Sequence, residues 1–123
     1  EWQAAYVELQ NQVDMLMVVN NAGITGWDDA AAKAFVLEKT RIPSASCHDF
    51  IAPFVLVDYA KLGDEQGEWA AAAAIQILEG KSPKDLAIAK NKKGQIILNM
   101  PLAKKLGVKF PLELMKTAKF VKE

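Results

Sequence analysis

The chain has 123 residues, 51% hydrophobic and 24% charged, with fifteen basic side chains balanced by fifteen acidic ones. That composition suits one globular domain with a real core and is too short for two full lobes. The balance of charge supplies no field for nucleic acid or an anionic membrane, no apolar run approaches the ~20 residues that span a bilayer, and a single cysteine, Cys47, excludes an internal disulfide framework and a multi-cysteine metal site.

Trp2, Ala5, Tyr6 and Leu9 recur at helical spacing and predict an amphipathic helix over residues 1 to 11. Because the chain opens inside this helix without an initiating methionine, it reads as a segment of a longer protein. Val13 to Val19 is a nearly continuous apolar run with β-branched ends, the pattern of a strand covered on both faces. A second helix is expected after Asn20 to Gly23. Thr25 and Asp28 resemble a capping box, Asp28 and Asp29 suit a helix N-terminus, and Ala31, Ala34 and Phe35 form the inner face. This helix ends near Lys39-Thr40, ahead of the extended Arg41-Ile42-Pro43.

Short strands are predicted over residues 42 to 46 and 54 to 59, followed by a break at Leu62-Gly63-Asp64. Glu65 to Glu79, with five consecutive alanines, is the strongest helix in the chain; Gly80 stops it and Pro83 lies beyond. "AIAKNKKGQIILN" reads as two strands around a turn at Asn91 to Gly94, which makes "KNKK" a solvated hairpin tip. Asn99 and Pro101 open a brief helix that Gly107 ends, and Pro111 opens a last one over Leu112 to Ala118. The alternation of elements predicts an α/β layer with parallel strands.

"VDMLMVVNNAGITGW", residues 13 to 27, has the look of a short-chain dehydrogenase beside its nicotinamide cofactor, and NADPH binding is what that reading requires. None of the seven glycines forms the G-x-G-x-x-G loop that brings backbone amides to a pyrophosphate. The catalytic Tyr and Lys of such enzymes stand four apart on one helix, so that the lysine lowers the tyrosine pKa. Here Tyr59 is followed four residues later by Gly63 and Tyr6 by Gln10, while Lys61, two from Tyr59, falls on another face of a helix. The chemistry of a dehydrogenase is missing.

In an open parallel sheet, ligands bind beyond the carboxyl ends of the strands. Asn20 and Asn21 sit at the first such end, Ser46, Cys47, His48 and Asp49 at the second, and Asp58 with Tyr59 at the third, a half-ring for a small polar ligand. Turns and caps account for the same residue types: Asn21 with Gly23 as a turn, and Asp49 as the cap of a helical turn through Phe50.

"HDFIAPFVLVDYAKLGDEQGEWAAAAAIQILEGKSPKDLAIAKNKKGQIILNMPLAKKLGV" resembles the C-terminal part of ABC transporter substrate-binding proteins of the type I periplasmic-binding fold, in the branch that includes tryptophan- and tyrosine-type binding proteins. The matching features are the "DYAKLG" crossover, the alanine-rich helix ending "ILEGKSP" and the tail "ILNMPLAKKLGV"; "VDMLMVVNNAGITGWD" matches the family's strand and following loop. The resemblance implies a three-layer, parallel-sheet lobe over residues 1 to 60, with a crossover helix, hairpin and tail over 61 to 123. It implies non-catalytic capture of an amino acid or sugar between two lobes, delivery to an ABC permease, and a periplasmic or extracytoplasmic location with lipid anchoring through upstream sequence. It carries Asn20, Asn21, His48, Asp49 and Asp58 over as ligand-facing residues, and Trp27 as an aromatic stacking candidate that is equally a core residue of its helix. "SCH" before Asp49 departs from relatives with smaller residues there and leaves the ligand class open. In the two-lobed fold the helix 65 to 79 packs on the other lobe, so the segment alone is expected to form a homodimer, including one with exchanged elements. A ligand-sensing or oligomerisation domain is a further role for the same fold.

Other chemistry is weaker. Neighbours in an extended segment point to opposite faces, which separates Cys47 from His48 and makes the cysteine a small buried side chain. His48 lacks companions at metal-ligand spacing, and Asp64, Glu65 and Glu68 are first-turn acids rather than a catalytic pair. No metal, no cofactor and no nucleic-acid partner are expected.

Overall fold

The computed structural model describes residues 1–121. Helix α1 spans Trp2–Leu9, strand β1 Leu16–Met17, helix α2 Asp29–Lys39 and strand β2 Ser44–Ser46. A 3-10 helix over Asp49–Phe54 leads into β3, Val57–Lys61, and then into α3, Gly63–Leu78. After a 3-10 turn at Pro83–Asp85 come β4, Gly94–Leu98, α4, Met100–Leu106, α5, Leu112–Thr117, and β5, Lys119–Phe120. The strands form one sheet in the order β1-β2-β3-β4-β5, with β1 parallel to β2, β2 to β3 and β4 to β5. This is the parallel α/β layer expected from the order of elements.

The chain divides into two compact units. The first holds Glu1–Ala60 and the chain from Gln95 onward. Its core joins Tyr6, Leu16, Ala32, Val36, Ile51, Phe54, Val55, Leu56, Leu102 and Ala103. Polar groups taken into this core are satisfied where α1 meets α2. Tyr6 and Thr40 share a hydrogen bond of 2.8 Å between their hydroxyls, and Thr40 Oγ1 donates to the Val36 carbonyl at 2.6 Å. Gln10 Nε2 donates to the carbonyls of Tyr6 and Lys39, and its Oε1 accepts from the Arg41 N–H at 2.7 Å. One buried amide thus terminates two helices, as buried polar groups require.

Local chemistry sets several boundaries. Asp28 alone caps α2, accepting from the Ala31 N–H at 2.9 Å; Thr25 plays no part in the cap. The buried face of α2 carries Ala32 and Val36 instead of Ala31 and Ala34, one residue round from the expected stripe, with Phe35 half-buried beside it. Asn99 caps α4 by accepting from the Leu102 N–H at 3.1 Å, and Gly107 ends it in the left-handed region at φ 67°, as the sequence predicts.

Two strand expectations fail. Val13 to Val19 is not covered on both faces: β1 is two residues long, Leu16 is buried, and Met15, Met17 and Val19 remain exposed. The predicted hairpin does not form either. In the second unit, Lys61–Gly94, the segment before β4 has no regular structure, because the Glu65 carboxylate on α3 captures its backbone, accepting from the N–H of Lys92 at 2.8 Å and of Lys93 at 3.1 Å. Glu65 is therefore more than a first-turn acid, and "KNKK" is a loop tied to a helix start.

Candidate functional site

The expected half-ring lies in the first unit. Just past β1, Asn20 Oδ1 accepts from the Ala22 N–H at 2.8 Å, and the Asn21 carbonyl accepts from the Ile24 N–H at 3.2 Å, with Gly23 at φ 85°. The asparagines thus form the turn that the strand end needs. Both also border an apolar cleft of about 290 Å³ that Ile24, Trp27, Ile51 and Phe54 help to line. Trp27 is held as part of an aromatic cluster: its ring lies 5.1 Å from Trp2 and 5.2 Å, edge-on, from Phe54, and its Nε1 donates to Asp29 Oδ1 at 2.6 Å. Its position is set by packing, and it also lines the cleft.

The second and third strand ends converge. Ser46 of β2 stands in register with Asp58, which lies inside β3 and not beyond its end. Ser46 Oγ accepts from the His48 N–H at 3.3 Å, and Asp49 Oδ1 accepts from the Phe50 N–H at 2.8 Å as the 3-10 helix begins. The His48 ring sits 5.4 Å from Phe50. Cys47 Sγ lies 3.4 Å from His48 Nδ1, correcting the expectation that they point apart: β2 has ended at Ser46, so strict strand alternation no longer applies. Cys47 is also half-buried rather than enclosed.

Asp58 is the anomaly of this region. It is completely buried, and neither carboxylate oxygen has a hydrogen-bond partner among the described residues. The two ion pairs found there, Lys39–Glu38 and Lys116–Glu113, leave it uncompensated. Loss of hydration raises its pKa. The His48 N–H, although it donates to Ser46, opposes the rise, as does the His48 ring, while the Asp49 carboxylate adds to it. Sequence spacing singles out the residue type, but only the register of β2 against β3 shows the burial.

Tyr59 and Lys61 lie on one strand and not on a helix, so the tyrosine–lysine pair of a dehydrogenase is not formed. No group of three or more His, Cys, Asp or Glu side chains among the described residues is arranged to hold a metal ion. No helix there is long and apolar enough to cross a membrane.

A parallel sheet flanked by helices, with Asn20, Asn21, His48 and Asp49 just past two of its strands, is an α/β layer of the open parallel-sheet class. The chain belongs to the ABC transporter substrate binding protein family, whose sequence model matches residues 3–122. No curated protein sequence matches it. Among solved structures it is similar to the ligand-free, open form of CD0873, a substrate binding protein with adhesive properties from Clostridium difficile, at 21% identity and a TM-score of 0.66 over 99% of this chain and 40% of that one. It is also similar to an ABC domain in complex with L-Trp from Streptococcus pneumonia, at 18% identity and a TM-score of 0.64 over 97% of this chain and 41% of the other. A conserved domain protein from Vibrio cholerae O1 biovar El Tor matches at 18% identity and a TM-score of 0.63, over 98% and 40%. The chain therefore spans about two fifths of the length of these relatives.

Proposed function

We propose that the chain is the C-terminal part of a two-lobed, extracytoplasmic solute-binding protein that captures an amino acid without catalysis and presents it to an ABC permease. The family supports the class of function, and the unpaired carboxylate of Asp58 supports the ligand class. A buried acid with two unused acceptors lacks a cation and donors, and a ligand ammonium group supplies one positive charge and three N–H bonds. Asp49, exposed on the neighbouring turn, is the first acid such a ligand meets. Asn20, Asn21 and His48 complete the polar lining, and the apolar cleft beside Asn21 suits an aromatic side chain. One structural relative carries L-Trp, which is consistent with this choice.

The test is a thermal-shift screen of the polypeptide, extended to the length of its relatives, against L-Trp, L-Tyr, other amino acids, sugars, N-acetyl-L-Trp and NADPH. A ligand at one hundred times its Kd adds about 2.7 kcal/mol of stability. Stabilisation by a free amino acid, lost on N-acetylation and weakened at least tenfold by Asp58→Asn, supports the reading. Equal binding of the acetylated compound removes the ammonium role, and a response to NADPH alone overturns the whole assignment.

A further inference from the structure

We infer that the empty site holds a proton on the Asp58 carboxyl and that a ligand's ammonium group expels it, which links solute capture to pH. The inference rests on the solute-binding reading and adds its regulation. Asp58 is 0% exposed, and neither carboxyl oxygen has a hydrogen-bond partner among the described residues. Residues of this chain alone seal it from water, so a segment added outside the chain does not reach those oxygens in this conformation. A carboxylate so placed has lost its hydration and gained no donor or cation in exchange, a cost that taking up one proton removes.

The surroundings supply few charges. Asp58 lies in β3, between β2 and β4, and neither Ser44–Ser46 nor Gly94–Leu98 carries a titratable side chain. Tyr59 and Lys61 share β3, but at odd spacing from Asp58 they point to its other face. The charges that bear on Asp58 come from the turn after β2. Burial is the chief cause that pushes its pKa up; the His48 N–H opposes this, the Asp49 carboxylate adds to it, and the His48 ring opposes it. The Cys47 thiol, 3.4 Å from His48 Nδ1, is the remaining titratable group of that turn. An ammonium group that settles at the exposed Asp49 cancels the charge that helps to keep the proton on Asp58. It also brings a positive charge to the buried carboxyl through an interior where charges interact more strongly than in water. The carboxyl O–H then ionises, its proton passes to solvent, and the carboxylate left behind is the anion that the ligand's charge needs. Below the ligand-free pKa of Asp58, binding therefore competes with protonation; above it, binding does not depend on this group's titration.

Calorimetric titration of L-Trp into the polypeptide extended to the length of its relatives, repeated in buffers of different ionisation enthalpy, counts the protons released. As pH falls from neutrality through the carboxylate range, release is expected to approach about one proton per L-Trp, and Kd to rise by up to about tenfold per pH unit. Asp58→Asn is expected to release none and to bind with a Kd that does not follow pH over that range. Should that variant fail to fold, the Asp58 carboxyl carbon, followed by NMR in the wild type, is expected to titrate above that of Asp49 without ligand and to move down when L-Trp is present. L-Trp binding without proton release overturns the inference. So does release that persists in Asp58→Asn and thus comes from His48, or an Asp58 carboxyl that titrates together with Asp49; in each of these cases the solute-binding reading stands. No heat with L-Trp overturns the inference as well, and no thermal shift with any amino acid overturns the solute-binding reading along with it.

Discussion

The two units hold themselves together by different means. Of the buried apolar side chains among the described residues, only Ala73 belongs to the second unit, and the rest lie in the first. Helix α2 in the first unit has eleven residues, a side-chain cap and a buried face at Ala32 and Val36. Helix α3 in the second has sixteen residues, no side-chain cap at Leu62, and leaves Trp69, Ile75, Ile77 and Leu78 exposed. The longer helix rests on alanine propensity and the shorter on tertiary packing. Intrinsic preference and contribution to a core are thus separate properties, and the strongest helix in the sequence is not the one that organises the fold.

The sharpest way to break this contrast is truncation on each helix. Val36, 2% exposed, touches the core, and Val36→Ala is expected to cost about 2 kcal/mol in urea unfolding. Leu78, 86% exposed, is expected to lose less than about 0.5 kcal/mol on the same change, measured under conditions where the chain is monomeric. Equal losses would mean that α3 buries a face that its exposure does not reveal.

Acid separates the units by sign. Asp58 in the first unit has its pKa raised by burial, so its stabilising contribution is complete below the unfolded carboxyl value and is lost as pH rises through the folded one. Glu65 in the second has its pKa lowered, first by the Lys92 N–H and then by that of Lys93. Its contribution is present above the unfolded value and disappears as pH falls through the folded one. Acidification from neutrality is therefore expected to firm the first unit while the Lys92 and Lys93 amides lose hydrogen-exchange protection. Asp58→Asn should flatten the first trend and Glu65→Gln the second. If either variant keeps the wild-type slope, its carboxylate is not the group responsible.

Helix starts offer a smaller test. Asp28→Ala deletes the cap of α2 and is expected to cost about 1 kcal/mol, while Asp28→Asn retains most of the stability, both read by chemical denaturation. How much of the fold is legible in the sequence follows the same division between local and distant causes. The caps of α4 are readable because Asn99, Pro101 and Gly107 act on their own neighbours. The parallel layer is readable from the order of elements, and Asn20, Asn21, His48 and Asp49 follow β1 and β2 as that order predicts, while Asp58 lies inside β3. The burial of Asp58 depends on pairing Ser46 with a residue twelve positions away, and the aromatic role of Trp27 on Trp2 and Phe54. The missing hairpin depends on Glu65, more than twenty-five residues from the backbone it binds. No short window contains those causes.

Gly67 gives the finest test, because it weakens α3 by the property on which that helix relies. It lies in the second turn of a helix with little tertiary support, and glycine in a helix interior costs roughly 0.5–1 kcal/mol relative to alanine through backbone entropy. Its φ is not in the left-handed region, and a Cβ added there meets nothing within 4 Å. Gly67→Ala therefore introduces no clash and restricts the unfolded chain. The expected gain is about 0.5–1 kcal/mol, seen as slower amide exchange across Gln66 to Ala74 with no change in the exchange of α2. A gain shared by both helices would show that the units unfold as one, and no gain at all would show that α3 is held by contacts and not by propensity.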